Sequence, residues 1–294
     1  MTVNYAQRQI SFTFTLGGGT FAATNSNTLT VSGLRSAVTI EVNSGPGMGK
    51  CTGRVYGLTL SQLNSLCSIQ PSPEGMLTPV FNYVSISAGD VGGALPAIFT
   101  GFVTLANLNF GSPPDAVLEF EAHSGIREAA IVLPGASGSG PVDAISLLQN
   151  LASSMGLTFE NNQNLGQKFI QSPAFEGSAR RQAYDICDAI DVKCTIDRGV
   201  FAIWPNGGSR GGSPVQISPN NGLIGYPTNW QVGVQCNCFY QPGIYLGGKV
   251  QVSGSQLNYA NGIWAVVGVT HELEAQMPSG GKWFTTWHGI QVTA

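Results

Sequence analysis

Charged side chains are scarce in this sequence. Asp, Glu, Lys and Arg make up 10% of its 294 residues, against about 25% in an average globular domain. A freely soluble monomer needs more charge than this to keep its surface hydrated. We therefore expect other subunits to cover much of the surface, and the alternative is a neutral surface made of Ser, Thr and Asn.

The sequence also lacks a basic segment and a long apolar one. Its formal net charge is −3, and no run of Lys or Arg provides the phosphate contacts on which nucleic-acid affinity depends. No stretch approaches the ~20 apolar residues of a membrane-spanning helix. The first eight residues lack the basic-then-apolar pattern of a signal peptide. These absences argue against a tightly held nucleic acid and predict synthesis in a cytoplasm, with no membrane-spanning segment.

Cysteine is present but is not arranged as a metal site. Cys236 and Cys238 are separated by one residue, and no second close pair follows at zinc-finger spacing. We expect no metal, and free thiols because a cytoplasm is reducing; late disulfides in an extracellular particle remain an open alternative. The thiols concerned are Cys51, Cys67, Cys187, Cys194, Cys236 and Cys238.

Short alternating segments dominate the first 125 residues. Apolar and polar residues alternate with the period of a half-buried strand, and Gly, Pro, Asn and Ser separate the segments. This pattern is typical of a barrel or a sandwich. Leucines at 60, 63 and 66 predict one short helical turn. The predicted strands cover residues 10–16, 29–31, 37–42, 51–58, 80–86, 99–108 and 116–122.

The pattern changes after Gly125 to helices that alternate with short strands. Apolar residues at 144, 148, 151, 152 and 155 recur at helical spacing, with Asp143 suited to cap that helix and Gly156 to end it. A second helix is predicted over 178–190, followed by a hairpin of strands 192–196 and 200–204. Gly-rich segments flank this small α/β module, a flexible stretch at 133–141 and a linker at 206–214.

Strand patterns return in the last part of the chain, over residues 230–240, 249–253, 262–274 and 283–292. We therefore predict a mainly β protein with a small α/β module. A first β-barrel domain would cover residues 1–125, the α/β module 126–212, and a second β-barrel domain 213–294.

Three segments look like ligand-binding or catalytic motifs, but each fails at an essential position. The segment 44–51 resembles a phosphate-binding loop, yet Ser44 and Cys51 occupy the positions that need Gly and Ser or Thr; we predict a hairpin loop. A zinc-protease helix starting at His271 would need a second His where Ala275 stands, and the segment has the period of a strand. The Gly/Ser-rich stretch 135–140 is out of register with a nucleophile elbow.

No residue stands out as catalytic, cofactor-binding or metal-binding. A cryptic hydrolase would depend on the histidines, which we interpret as hydrogen-bonded structural residues. The tryptophans lie in or next to predicted strands, where core packing is commoner than sugar stacking. We therefore predict that the chain is not an enzyme. The histidines are His123, His271 and His288; the tryptophans are Trp204, Trp230, Trp264, Trp283 and Trp287.

An ordered set of segments after residue ~95 resembles a known family. Residues 175–191, FEGSARRQAYDICDAID, lead into DRGVFAIWP at 197–205 and the Gly-rich linker. GLIGYP at 222–227, PGIYLGG at 242–248 and GIWAVVGVTH at 262–271 follow. In this order the segments resemble the baseplate hub proteins of contractile-tailed bacteriophages, whose wider relatives are the tail protein D group and the N-terminal part of secretion-system spike proteins.

The resemblance implies two tail-tube-like β-barrel domains separated by an α+β insertion domain. It implies a homotrimer whose six barrels adapt the hexameric tail tube protein to the three-fold central spike protein. Baseplate wedge proteins would be further partners, and DNA would pass through the channel without specific binding. The chain would be a virion protein of the tail baseplate, assembled in the host cytoplasm. Two alternatives remain open, the hub of a phage-like secretion or injection device and a tail protein that binds cell-wall glycan through its α/β module.

Overall fold

The computed structural model describes residues 7–67, 82–112, 115–231 and 233–292. Strands make up 51% of the protein and helices 15%, which confirms the prediction of a mainly β protein with few helices. The chain divides into two compact units, which we call unit 1 and unit 2. Unit 1 comprises Met1–Ile40, Lys50–Ser124 and His271–Trp283; unit 2 comprises Glu41–Gly49, Gly125–Thr270 and Phe284–Ala294.

Unit 1 is built on a β-sheet with one short helix. Its strands follow the hydrogen-bonded order β3-β4-β7-β6-β5-β1-β2, and the pairings from β4 through β2 are antiparallel. The strand predicted at 80–86 begins at Tyr83, and residues 80 and 81 lie outside the described ranges. The elements are β1 Arg8–Thr15, β2 Thr28–Ser32, β3 Ser36–Asn43, β4 Lys50–Tyr56, α1 Leu60–Cys67, β5 Tyr83–Asp90, β6 Ala97–Ser112 and β7 Asp115–His123.

Alternation along the strands places one face of this sheet in the core of unit 1. On β1, Ile10, Phe12 and Phe14 are buried, and the residues between them are half-buried on the opposite face. The Phe120 ring of β7 meets the Phe12 and Phe14 rings edge-on, at centroid distances of 6.1 and 5.6 Å. The period-two pattern therefore identifies the core face correctly.

The first part of unit 2 contains the helices predicted after Gly125. Helix α3 begins at its cap Asp143, whose carboxylate accepts from the Ile145 amide at 3.2 Å, and ends at left-handed Gly156. Ser178 caps α4, and both helices pack with strands β13 and β14 around one apolar cluster. The elements are α2 Ile126–Ala130, β8 Ala136–Ser137, β9 Pro141–Asp143, α3 Ala144–Met155, β10 Thr158–Glu160, β11 Phe169–Gln171, β12 Ala174–Phe175, α4 Ala179–Ala189, β13 Val192–Asp197 and β14 Val200–Pro205.

The second part of unit 2 is again a sheet, with the order β16-β17-β20-β19-β18-β15. Its core holds Trp264, Trp287, Cys236 and Cys238. The strand predicted over 230–240 forms over Gly233–Phe239 and starts later than predicted, because the preceding strand ends at Trp230 and Gln231 adopts a left-handed conformation. The elements are β15 Val215–Ile217, β16 Leu223–Trp230, β17 Gly233–Phe239, β18 Lys249–Val252, β19 Gly262–Ala275 and β20 Trp283–Gln291, with a 3₁₀ turn at Asn258–Ala260.

Two further expectations bear on this architecture. The stretch 133–141, predicted to be flexible, contains β8 and the start of β9, so short antiparallel pairs hold parts of it in place. The strand pairings of the described residues form open paths rather than closed rings. The two β-barrels and the three-part division at 125 and 212 therefore stay predictions.

Candidate interaction surfaces

The segments that resemble motifs have structural roles. Residues 44–49 form the loop between the neighbouring strands β3 and β4, as predicted. The Arg180 guanidinium donates to the carbonyl oxygens of Pro46 and Gly47 in this loop. His271 lies within β19 and is buried, which agrees with the prediction of a strand there.

The histidines contact their own strand neighbours. The His123 ring lies 3.3 Å from the Thr104 hydroxyl and 3.6 Å from Glu121. The His288 ring packs on Trp230 with centroids 4.6 Å apart, and its Nε2 lies 3.3 Å from Gln235. Partial burial lowers the pKa of His288 below its ordinary value. Both side chains therefore have neighbours that account for their positions.

The cysteines are free thiols, and Cys67 alone of the six is not fully buried. Burial raises the pKa of Cys236 and of Cys238 to about 12. A hydrogen bond with Cys194, together with burial, raises the pKa of Cys187. Since the thiolate is the nucleophile and the metal ligand, such thiols are unreactive near neutral pH. Among the described residues, no three His, Cys, Asp or Glu side chains cluster as a metal site.

The outward face of strands β4 and β7 carries a row of ion pairs, which we call the charged ladder: Lys50, Arg54, Glu119, Glu121 and His123. Lys50 Nζ lies 2.8 Å from Glu121 Oε2, and Arg54 Nε lies 3.1 Å from Glu119 Oε1. These side chains are between 25% and 62% exposed. Ion pairs this exposed contribute about 0.2–1 kcal/mol each to the free energy of unfolding. The charged ladder therefore stabilises the sheet only slightly.

An open concavity of about 430 Å³ lies along the charged ladder. Arg54, Glu119 and Glu121 line it, with Thr39, Thr52, Leu105, Asn107 and Glu274. Of its charged groups, Arg54 pairs with Glu119, and Glu121 pairs with Lys50 beside it.

The outward face of strands β1, β2 and β5 is uncharged and consists mainly of Ser and Thr, with Gln9 and Tyr83 at its ends. We call its Ser and Thr residues the hydroxyl face. Thr13 stands opposite Thr30 on one side and Ser85 on the other, and the two threonine hydroxyls are 3.1 Å apart. Within the described ranges β2 pairs with β1 alone, so its other edge is open. The face comprises Ser11, Thr13, Thr15, Thr28, Thr30, Ser32, Ser85 and Ser87, with Thr100 on β6.

A buried arginine holds the predicted linker 206–214. The Arg210 guanidinium is 5% exposed and makes a two-point contact with the Glu160 carboxylate, at 2.8 and 2.9 Å. The guanidinium Cζ lies 5.0 Å from the centroid of the Tyr245 ring. The backbone amide of Arg210 donates a hydrogen bond to the Gly247 carbonyl. This Gly-rich segment is therefore anchored within unit 2.

The chain beyond Arg210 is almost free of charge. Between Arg210 and Glu272 the one charged residue is Lys249, although an average chain carries a charge at about every fourth position. Three exposed aromatic residues lie in this stretch: Phe239, 52% exposed, and two tyrosines, Tyr226 at 62% and Tyr259 at 48%. We call Tyr226, Pro227, Gln256 and Tyr259 the tyrosine surface.

The family of the chain follows from its sequence as a whole. The family described as Baseplate hub gp41 matches residues 10–280. The chain belongs to the Baseplate hub gp41 family. It is thus a bacteriophage baseplate hub protein and a component of the virion tail, which confirms the resemblance in its sequence. No helix among the described residues is long and apolar enough to span a membrane.

Solved structures share the fold of this hub protein at very low sequence identity. The 43 kDa tail protein of prophage MuSo2 from Shewanella oneidensis matches with a TM-score of 0.61 and 8% identity over 96% of both chains. A tail protein from Neisseria meningitidis MC58 matches with a TM-score of 0.58 and 10% identity, over 95% of this chain and 96% of that one. No curated protein sequence matches the chain.

A type VI secretion system component from Escherichia coli has the same fold, with a TM-score of 0.58 and 8% identity over 88% of this chain and 74% of that one. That protein is described as similar to the T4 bacteriophage tail proteins gp27 and gp5. The fold of the hub protein is thus common to phage tails and to a secretion device.

Sequence reasoning did not find these surfaces. The charged ladder has a local signal, since Lys50 and Arg54 on β4 and Glu119 and Glu121 on β7 have the even spacing of one strand face. The pairing of Glu160 with Arg210 has none, because the two residues are 50 positions apart.

Proposed function

We propose that this hub protein forms a homotrimeric ring that adapts the hexameric tail tube to the three-fold central spike. In this role the chain is a structural part and carries no catalytic residue. Residues 1–125 and 213–294 would be two tail-tube-like β-barrel domains, and 126–212 an α/β module on the outside of the ring. Membership of the baseplate hub family supports the location, and the division of the chain into two compact, strand-containing units supports the two-domain plan.

The observation that carries the proposal is the combination of little charge with exposed apolar side chains. Charged residues are 10% of the chain, and among the residues that the structure describes ten large apolar side chains are more than 40% exposed. An obligate subunit buries such side chains against its neighbours. They are Leu60, Val91, Leu105, Phe110, Val132, Phe169, Tyr226, Phe239, Tyr259 and Ile263.

The partners follow from this position in the tail. The ring would contact the tail tube protein on one side, the central spike protein on the other, and baseplate wedge proteins around it. DNA would pass through its channel without specific binding, because the chain has a net charge of −3 and no basic run.

The mass and symmetry of the purified protein test the proposal. We expect light scattering to give three times the chain mass of 30.8 kDa, and electron microscopy to show three-fold rings with a central pore. Monomers of 30.8 kDa at every protein concentration would overturn it.

The fold also supports a second candidate, the hub of a secretion or injection device, because a type VI secretion component shares it. Packaged DNA in particles that contain this chain would favour the phage tail, and DNA-free particles the injection device. Saturable binding of the purified protein to cell wall would instead favour the glycan-binding role for residues 126–212.

A further inference from the structure

The tyrosine surface is held rigid by its own hydrogen bonds. The Tyr226 hydroxyl donates to Gln256 Oε1 at 3.2 Å, and the Tyr259 hydroxyl donates to the Pro227 carbonyl at 3.2 Å. Pro227 is buried between the two exposed tyrosines. The rings therefore keep a fixed orientation while their faces remain open, and a partner that covers them loses little side-chain entropy.

The loop that carries Gln256 and Tyr259 is fixed as well. The Ser255 amide donates to Asn261 Oδ1, and Asn261 Nδ2 donates back to the Ser255 carbonyl, both at 2.9 Å. Trp264 Nε1 also donates to the Ala260 carbonyl at 2.9 Å, which ties the loop to the core. Two exposed tyrosines on a rigid support match the residues that dominate binding energy at protein interfaces.

The neighbouring strand edge does not suit the addition of a strand. Strand β16 carries Pro227, which has no amide to donate, and its pairing with β17 is interrupted between Ile224 and Thr228. Proline and bulges are the features that protect edge strands from pairing. A partner would therefore meet this region through side chains.

The partner's surface must be poor in charge. The only charged residue between Arg210 and Glu272 is Lys249, so charges brought by a partner would be buried with few counter-ions to meet them, at a large desolvation cost. This chain itself offers such a surface, because nine neutral hydroxyls form the hydroxyl face. A contact between two different surfaces of identical subunits forms a ring when its rotation closes, and an open filament when it does not.

We propose that the tyrosine surface is a contact between copies of this chain, where it packs against a charge-poor surface of the next subunit. The inference rests on the trimeric ring proposed above and names one of the surfaces that hold the ring together.

A single added charge tests the contact. The substitution Gln256→Glu keeps the oxygen that accepts from Tyr226 and adds only a negative charge. Gln62→Glu is the matched control, since Gln62 Oε1 likewise accepts a hydrogen bond, from the Thr59 amide at 2.9 Å on α1. Tyr226→Ala is a second variant that removes a ring instead of adding a charge. Each full-length variant would be checked for folding by circular dichroism and for mass by light scattering across protein concentrations.

We expect Gln256→Glu and Tyr226→Ala to remain folded and to weaken self-association at least about 30-fold, while Gln62→Glu assembles like the wild type. A wild-type ring that both variants also form would overturn the inference and leave the proposed function standing. Equal weakening by Gln256→Glu and Gln62→Glu would overturn it too, as a general effect of charge. Rings that form but no longer bind tail tube or spike protein would assign the surface to that partner. A wild-type monomer would refute the proposed function itself.

Discussion

The charged ladder and the hydroxyl face lie on the same outward side of one sheet, yet they differ completely in charge. On β4 and β7, Lys50 and Arg54 meet Glu121 and Glu119 across the strands. On β1, β2 and β5, the equivalent positions are uncharged and mainly Ser and Thr, such as Thr13 opposite Thr30. The scarcity of charge in this chain is therefore not uniform, since its few charges are concentrated where they pair.

The charged half of this sheet, β4 and β7, and its neutral half, β1, β2 and β5, share the core beneath them. Phe120 lies between Glu119 and Glu121 in the sequence and points to the opposite side of β7, where its ring meets Phe12 and Phe14 under the hydroxyl face. The difference between the halves is thus a property of the surface alone. A neutral half can be covered by a neighbouring subunit without the cost of removing water from ions.

The largest effect is expected when this shared core is opened. Phe120→Ala should reduce the free energy of unfolding by about 3–5 kcal/mol, because it leaves a cavity among buried rings. Urea unfolding at a fixed protein concentration measures the loss. A loss below about 1 kcal/mol would mean that the two halves do not share one core.

A smaller effect is expected from a methyl group added beneath the charged ladder. A Cβ at Gly53 would lie 2.3 Å from the Phe120 ring, so Gly53→Ala should destabilise the protein by about 1–3 kcal/mol. Gly47→Ala is the control, because a Cβ there meets nothing within 4 Å. Equal melting temperatures of the two variants would contradict the packing described for β4 and β7.

The stability of the charged half should depend on salt concentration, whereas that of the neutral half should not. Glu121→Gln removes the partner of Lys50 and should cost about 0.5–1 kcal/mol at low ionic strength and less in 1 M salt, because salt screens exposed pairs. Thr13→Val removes the hydroxyl contact with Thr30 and should cost a similar or smaller amount that does not change with salt. Unfolding at two salt concentrations measures both, and a salt-dependent Thr13→Val effect would contradict the comparison.

The smallest effect concerns acid and lies in unit 2, where His288 is the titratable group on a neutral sheet face. Its pKa is lowered by burial, so the unfolded chain binds this proton more readily than the folded one. The stabilising contribution is therefore complete above the ordinary histidine pKa of about 6.5 and is lost as the pH falls through and below that value. His288→Gln should show a weaker loss of stability than the wild type between pH 7.5 and 5.

Features encoded within one turn or one strand could be predicted from the sequence. The alternation around Phe12 and the caps Asp143 and Gly156 all appear where the pattern indicates. The strand predicted over 230–240 lies at Gly233–Phe239, and the pattern places its start too early because Trp230 belongs to the strand before the turn at Gln231. The anchoring of Arg210 also escaped prediction, since a Gly-rich segment normally indicates a linker.

The sequence by itself determined the class of the protein, its core-facing residues, its helix ends and its family. Those properties depend on period and on residue order, both of which can be read along the chain. The tertiary structure alone decided which strands became neighbours, and so created the charged ladder, the hydroxyl face and the Glu160–Arg210 contact. Such pairings depend on how distant segments pack. They could not be predicted, because the spacing between two residues far apart in the chain contains no periodic signal.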